Sequence, residues 1–356
     1  MKIGFVGDIH FGIKQGDKTF LSRQIQFVKE QLIPTLKKNL VKDIIFFGDI
    51  FDTREKIKVD VMNEVIDLFE KDLKDFKCHI ILGNHDIFYK TTVDVHSIRC
   101  LESLKNVKVY DRPTSMNMGG LNFLMLPWVC DYSELESQLK GMLVNEDFEK
   151  YDICCSHLDI CGFSMGNGKN NLAVEGTDPN MLGNYIDTVF SGHFHSISSK
   201  NVGNCTINYI GSAMQFTWGD SGCERGFWVF DTEDENNIKF HENIHQIKFN
   251  KINFPEQFSE EQIKGNYIDV IYKEEECQST LKLIAYLDQI AAYGPVGKVK
   301  STMIPMKKID LESEIQLENL SLLELIKAYV DDKYPERNDI YNELVSLYNE
   351  FKQGGI

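Results

Sequence analysis

The chain has 356 residues, 42% hydrophobic and 26% charged, a globular composition with length for one large core and a smaller attachment. Its formal net charge of -16 argues against non-specific attraction to nucleic acid, although bound cations can reverse the field inside a cleft. No apolar run approaches a membrane span and no signal sequence precedes the first strand, so a soluble, unexported, cytoplasmic protein is expected.

The opening MKIGFV reads as a buried strand. Between Phe20 and Leu40, the residues Ile25, Val28, Leu32 and Leu36 recur at helical spacing, and Pro34 predicts a kink. DIIFFGD is a second strand, and Met62, Val65, Phe69, Leu73 and Phe76 mark a second helix before the strand CHIILGNHD. This alternation is the α/β pattern of a covered sheet. SMNMGG at 115–120 reads as a turn. FLMLPW, YDICCSH, DTVFSGH, TINYIGS and GFWVFDT then suggest a second sheet packed on the first. Residues 162–171 form a loop rich in glycine and asparagine. A boundary is expected near 249–265. Beyond it a strand at YIDVIY, a helix over 279–291 and a strand at GKVKSTMI outline a small α/β module. A capping box at Ser321–Glu324 opens the first of two terminal amphipathic helices, and Ile340, Leu344, Leu347, Tyr348 and Phe351 stripe the second. The nine cysteines show no CxxC spacing, and five of them (Cys78, Cys130, Cys154, Cys155 and Cys205) sit in or beside apolar runs. They read as reduced thiols.

The chemistry collects where strands end. GDIH supplies Asp8 and His10; GDIFD supplies Asp49 and Asp52; GNHD supplies Asn84, His85 and Asp86. SHLD supplies His157 and Asp159, and GHFH supplies His193 and His195. Each motif alone reads as a turn or an ordinary histidine. Five such placements, brought to one sheet edge, predict a metal site. Imidazoles, carboxylates and one amide, with no cysteine, suit two divalent ions of the manganese, iron, cobalt or zinc kind; magnesium alone prefers fewer histidines. With Asp8 and Asp49 as the anionic ligands, two divalent ions leave a centre of net charge about +2, which attracts phosphate. His85 can give a proton or hydrogen bond to a transferring phosphate, and Asp52 can orient it. The plainer readings of Asp52 and Asp86 are helix capping and turn formation. Neither a GxSxG nor a Walker lysine motif is present. Lys90, Arg99, Lys105, Lys108 and Arg112 recur as basic side chains, most simply a solvated surface.

DIH, GDIFD, GNHD, SHLD and GHFH, in that order over roughly residues 1–230, resemble the calcineurin-like metallophosphoesterases. GDIFDT continues with Thr53 before Arg54, without the GDxxDRG arginine, which points away from protein serine/threonine phosphatases. The small module and terminal helices resemble the nuclease subunit of the SbcCD-type DNA double-strand-break repair complex, in its phage form a recombination endonuclease subunit.

The resemblance implies a two-sheet sandwich flanked by helices over residues 1–250, a capping, DNA-positioning α/β module over 251–312, and helices over 313–356 that bind an SMC-like coiled-coil ATPase. It implies Asp8, His10, Asp49 and His195 as ligands of one metal and Asp49, Asn84, His157 and His193 as ligands of the other, with Asp49 bridging. His85 becomes the catalytic histidine, with Asp52 beside it where many relatives carry histidine. The expected activity is manganese-dependent DNA exonuclease and endonuclease cleavage by two-metal activation of water, with magnesium as the alternative ion, in recombination, repair and replication. Homodimerisation within a heterotetramer is expected by similarity alone, since the stripe at Met62, Val65 and Phe69 reads more simply as core. Two rival readings stay open: a small-molecule phosphodiesterase or protein phosphatase on the same fold, and a non-enzymatic scaffold subunit.

Overall fold

The computed structural model describes residues 1–144, 146–164, 172–234, 237–273, 280–304, 327, 330–331 and 340–346. The chain divides into two compact units, Met1–Tyr272 with Ser279–Thr302, and Lys273–Gln278 with Met303–Ile356. The first carries the site. In the second, residues 340–346 are helical, whereas the predicted capping box and most of the terminal stripe lie outside the described residues. So do residues 165–171 of the predicted loop.

Two six-stranded sheets make the body. The first holds β1 (Lys2–Val6), β2 (Asp43–Phe46), β3 (Lys77–Ile81) and β4 (Val107–Tyr110) in parallel order. The second is built from β5 (Thr114–Met118), β6 (Leu121–Leu126), β7 (Tyr151–His157), β8 (Ile186–Gly192), β9 (Ser198–Val202) and β10 (Cys205–Tyr209), in the order β5-β6-β7-β8-β10-β9. Its inner strands β6, β7, β8 and β10 are parallel. β11 (Gly226–Asp231) returns antiparallel to β1 and carries β12 (Ile238–Glu242) on its outer edge.

Alternation within each strand explains the sandwich. Ile3 and Phe5 of β1, Ile45 of β2 and Ile81 of β3 meet Phe123 and Met125 of β6, Ile153 and Cys155 of β7 and Phe190 of β8 between the sheets. Their neighbours Val6, Ile44, Phe46 and Ile80 face the other way, onto helices. Strands buried on both faces are largely apolar, and the buried exceptions His79 and Asp43 pair with each other at 3.1 Å.

One helical run covers that outer face: Lys18–Gln26, a wider turn over Phe27–Leu32, then Ile33–Lys38 with Pro34 in its first turn. Pro34 has no N–H to offer the preceding turn, and the Ile33 N–H bonds five residues back to Val28 O, so the kink expected at Pro34 is absorbed as a loosened turn. The second predicted helix is Val59–Asp67 extended by Leu68–Asp72. Val65 and Phe69 are fully buried against the sheet, so they are core in a single chain; Met62 is half-buried.

Two expectations are corrected, and the small module gains a strand. SMNMGG is a turn only at Gly119–Gly120, because Thr114–Met118 is the edge strand β5. GFWVFDT joins the first sheet rather than the second. The stretch read as a boundary holds β13 (Phe249–Asn253), which pairs in parallel with β14 (Tyr267–Lys273), and β15 (Lys300–Ile304) completes that small sheet beside the helix Thr280–Ala292. Phe20, Met214, Phe216, Ile247 and Phe249, flanked by Trp218 and Tyr267, pack the small sheet onto the body.

Candidate metal centre

The parallel strands β1, β2, β3, β7 and β8 run the same way in their sheets, so their C-terminal ends deliver the five motifs to one edge. Donor atoms of Asp8, His10 and His195 lie within 4.8 Å of one another, and so do those of Asp8, Asp49 and His157. His10 Nε2 and His195 Nε2 face each other at 3.2 Å. Asn84 Oδ1 stands 3.0 Å from His157 Nε2 and 3.1 Å from His193 Nδ1. Asp49 Oδ2 lies between the two groups, 3.7 Å from His10 Nε2 and 3.5 Å from His157 Nε2. All seven ligand candidates thus converge. Asp159 does not join them: it lines a neighbouring cavity of about 340 Å³ with His193, His195 and Asp220.

The local backbone is unusual at the working positions. His10, Asp49 and His193 adopt left-handed φ values of 54°, 50° and 86°, a conformation that costs a non-glycine residue on the order of 1–3 kcal/mol. Neighbouring groups hold them there. His10 N–H donates to Asp49 O at 3.0 Å, and His193 N–H donates to Asp8 Oδ1 at 3.1 Å. Asp86 does most for Asp49. Its fully buried carboxylate accepts from the N–H groups of Asp49 (2.8 Å), Gly83 (2.9 Å), Ile50 (3.0 Å) and Phe51 (3.4 Å). The motif glycines permit the approach: a Cβ on Gly83 would sit 2.2 Å from Asp49 Oδ1, and one on Gly192 would sit 2.4 Å from Phe47 O.

Hydrogen bonds fix the imidazoles. His157 Nδ1–H donates to Phe47 O at 2.5 Å, which turns Nε2 toward Asn84 and Asp49. His85 Nδ1–H donates at 2.5 Å to the backbone carbonyl of Asp52, leaving Nε2 as its available nitrogen. The Asp52 carboxylate lies instead 3.4 Å from His10 Nδ1. Two aromatic walls went unmarked in the sequence. Trp128 lies against His193 and His157, with ring centroids 5.0 and 6.0 Å apart, and Phe216 packs edge-on to His10 and His195 at 5.1 and 5.4 Å. Trp128 sat in the motif FLMLPW, at the end of a strand, where the same edge rule could have found it.

Electrostatics show what the cluster lacks. Asp8 and Asp49 are buried, and among the described residues neither meets a lysine or arginine. Burial would raise Asp49, but His157, His10 and His85 outweigh it and hold the carboxyl down at about 2. Burial pulls His10 down, yet Asp52, Asp49 and Asp8 lift it to about 9, whereas burial and His157 push His193 down to about 3. Buried carboxylates and close-facing imidazole nitrogens, with no basic side chain to neutralise them, form a donor set that divalent cations fit.

Fold and site together define a metallophosphoesterase. The sequence profile of the calcineurin-like phosphoesterase family matches residues 1–196, and the chain belongs to that family. It is 30% identical over 363 residues to exonuclease subunit 1 of Enterobacteria phage T4, an alignment covering 99% of this chain and 100% of the relative. A protein of invertebrate iridescent virus 3, described as a candidate phosphoesterase, is 28% identical over 222 residues, 61% of this chain and 58% of that one. One subunit of the nuclease SbcCD of Staphylococcus epidermidis is 26% identical over 297 residues, 76% of this chain and 74% of the relative. Among the described residues, no helix is long and apolar enough to cross a membrane.

Proposed function

We propose that this protein is a DNA nuclease that holds two divalent ions, manganese by preference, and works with an SMC-like coiled-coil ATPase. The observation that carries the reading is the convergence of seven oxygen- and nitrogen-donor residues, Asp49 central among them, beside a histidine whose Nε2 has no hydrogen-bond partner among the described residues. Asp8, His10, Asp49 and His195 would hold one ion, and Asp49, Asn84, His157 and His193 the other. Bound there, the ions supply Lewis acidity toward a phosphoryl oxygen and a nucleophile at neutral pH.

The chain's own residues do the rest. The Asp52 carbonyl holds His85 in one tautomer, so that Nε2 can carry a proton toward the leaving oxygen. Asp86 and the Asp8 carboxylate brace the backbone of the ligand loops, so the donors are placed before substrate arrives. Trp128 and Phe216 close the flanks of the imidazoles and limit water there.

The nuclease relatives favour DNA over a small ester, and the small module over residues 251–312 and the C-terminal segment over 313–356 are read as DNA-positioning and ATPase-binding parts. The test is cleavage of linear duplex and single-stranded DNA by the manganese-loaded protein, with and without the ATPase. Hydrolysis of a small phosphomonoester with no cleavage of DNA would contradict the reading.

A further inference from the structure

The rim just beyond the ligands on β2 and β3 carries groups that the metal centre does not use. Phe88 and Tyr89 follow His85 closely and are 43% and 52% exposed. Their rings meet edge to face, with centroids 4.8 Å apart. The turn beneath them is braced. Ile87 is fully buried and bridges His96; the Phe88 N–H donates to Val95 O at 2.8 Å, and the Ser97 N–H donates to Asp86 O at 2.8 Å. Two large rings are therefore held side by side in solvent on an ordered turn, next to a phosphate-seeking centre.

Two cations belong to the two loops at this rim. Lys90 follows Tyr89 directly, and Arg54 stands two residues past Asp52. Among the described residues neither makes an ion pair or hydrogen bond. The Asp52 carbonyl accepts from His85 Nδ1, which ties the loop of Arg54 to the turn that carries the rings. Thr91 and Thr92, just past Lys90, share a cavity of about 270 Å³ with Trp128 and Cys130. Two acids of this rim are held by their own loops: Asp94 accepts from Thr92 Oγ1 at 2.6 Å, and Asp131 accepts from Ser133 Oγ at 2.6 Å, while Glu134 also lines the cavity and Glu55 follows Arg54.

We propose that Phe88, Tyr89, Lys90 and Arg54 form a platform for an unpaired nucleotide at the mouth of the metal centre. The rings stack on its base, and the two cations meet the flanking phosphates. This rests on the reading of the centre as a DNA phosphodiesterase. A base inside a duplex has both faces covered by its neighbours, so the platform selects single strands and frayed ends over continuous duplex. Stacking is tolerant of base identity, since every base has a π-face. Local cations also answer how a chain of net charge -16 engages a polyanion: the attraction is confined to the rim.

The experiment is fluorescence anisotropy of a short labelled single strand, titrated with full-length protein in calcium buffer and compared with a labelled, covalently closed circular duplex. Phe88→Ala and Tyr89→Ala are each expected to weaken single-strand binding about tenfold, while Tyr89→Trp keeps it. Lys90→Gln and Arg54→Gln are each expected to lower the slope of log affinity against log salt by about 0.7. Thermal unfolding establishes that each variant is folded.

Unchanged strand affinity in both alanine variants overturns the proposal. So does loss of a wild-type dimer in those variants with strand affinity intact, which would mark the rings as a contact between copies of this chain. DNA cleavage by the wild-type protein reports separately on the nuclease reading. Cleavage with unaltered variant binding sinks only the platform, and variant binding defects without wild-type cleavage sink only the nuclease reading.

Discussion

Replacing Asp86 by alanine tests the scaffold of the centre. The carboxylate is fully buried and is the acceptor for four backbone N–H groups, three of them within 3.0 Å. Alanine offers none of them a partner, and the space is too enclosed to hydrate them freely. A buried donor left unmade costs about 1–3 kcal/mol, so three at the low end cost about 3 kcal/mol. Against a total stability of about 5–15 kcal/mol, that loss lowers the melting temperature of a chain this long by about 4 °C. The same N–H groups hold Asp49 in its left-handed conformation, so metal affinity falls as well. Asp86→Asn keeps one acceptor oxygen and the shape, and falls between alanine and wild type. The assay is thermal unfolding of the metal-free protein, since bound ions stabilise by mass action, followed by calorimetric titration with manganese. If Asp86→Ala melts with the wild-type protein and binds manganese equally well, the clamp assigned to this carboxylate is wrong.

Four further outcomes follow from the same geometry. His85→Ala is expected to lower turnover about 10²–10⁴-fold with manganese stoichiometry unchanged, read by steady-state kinetics and metal analysis. Gly83→Ala places a methyl group 2.2 Å from Asp49 Oδ1 and 2.5 Å from its backbone nitrogen, so calorimetry should show manganese binding lost or strongly weakened. Phe216→Ala removes a buried ring from beside His10 and His195 and should cost about 3–5 kcal/mol in denaturant unfolding. Asp220 pairs with the buried Arg225 at 2.7 Å. Burial alone would raise Asp220, but the Phe216 and Thr217 N–H groups and Arg225 hold it below the usual carboxylate range. Its folded pKa is therefore the lower one, so its contribution is present above about pH 4 and is lost as the pH falls further. Asp220→Asn should cost about 3–5 kcal/mol at neutral pH, by leaving Arg225 uncompensated, and should flatten the acid limb of the stability profile.

The site was legible because its chemistry sits at strand ends, and apolar runs followed by Asp, Asn or His announce themselves in one dimension. The core strands β1, β2, β3, β7 and β8 were legible for the same reason: a strand covered on both faces reads as a largely apolar run. Edge strands did not read that way. Thr114–Met118 and Ser198–Val202 are polar and half-exposed, and what makes them strands is pairing to β6 and β10. The sheet that β11 joins is a tertiary choice, fixed by its register against β1 rather than by any local pattern. The clamp at Asp86 was hidden because a turn-forming aspartate and an acceptor for a distant loop look alike in sequence. The left-handed turns at His10, Asp49 and His193 carry no glycine; aspartate and histidine enter that region more often than most residues, but too seldom for the identity alone to mark a turn.

Anomalous diffraction at the manganese edge, from crystals soaked in manganese, tests the central claim most directly. The account predicts two peaks about 3.5–4 Å apart, on either side of the Asp49 carboxylate. A single peak in that cleft, or none, would contradict it.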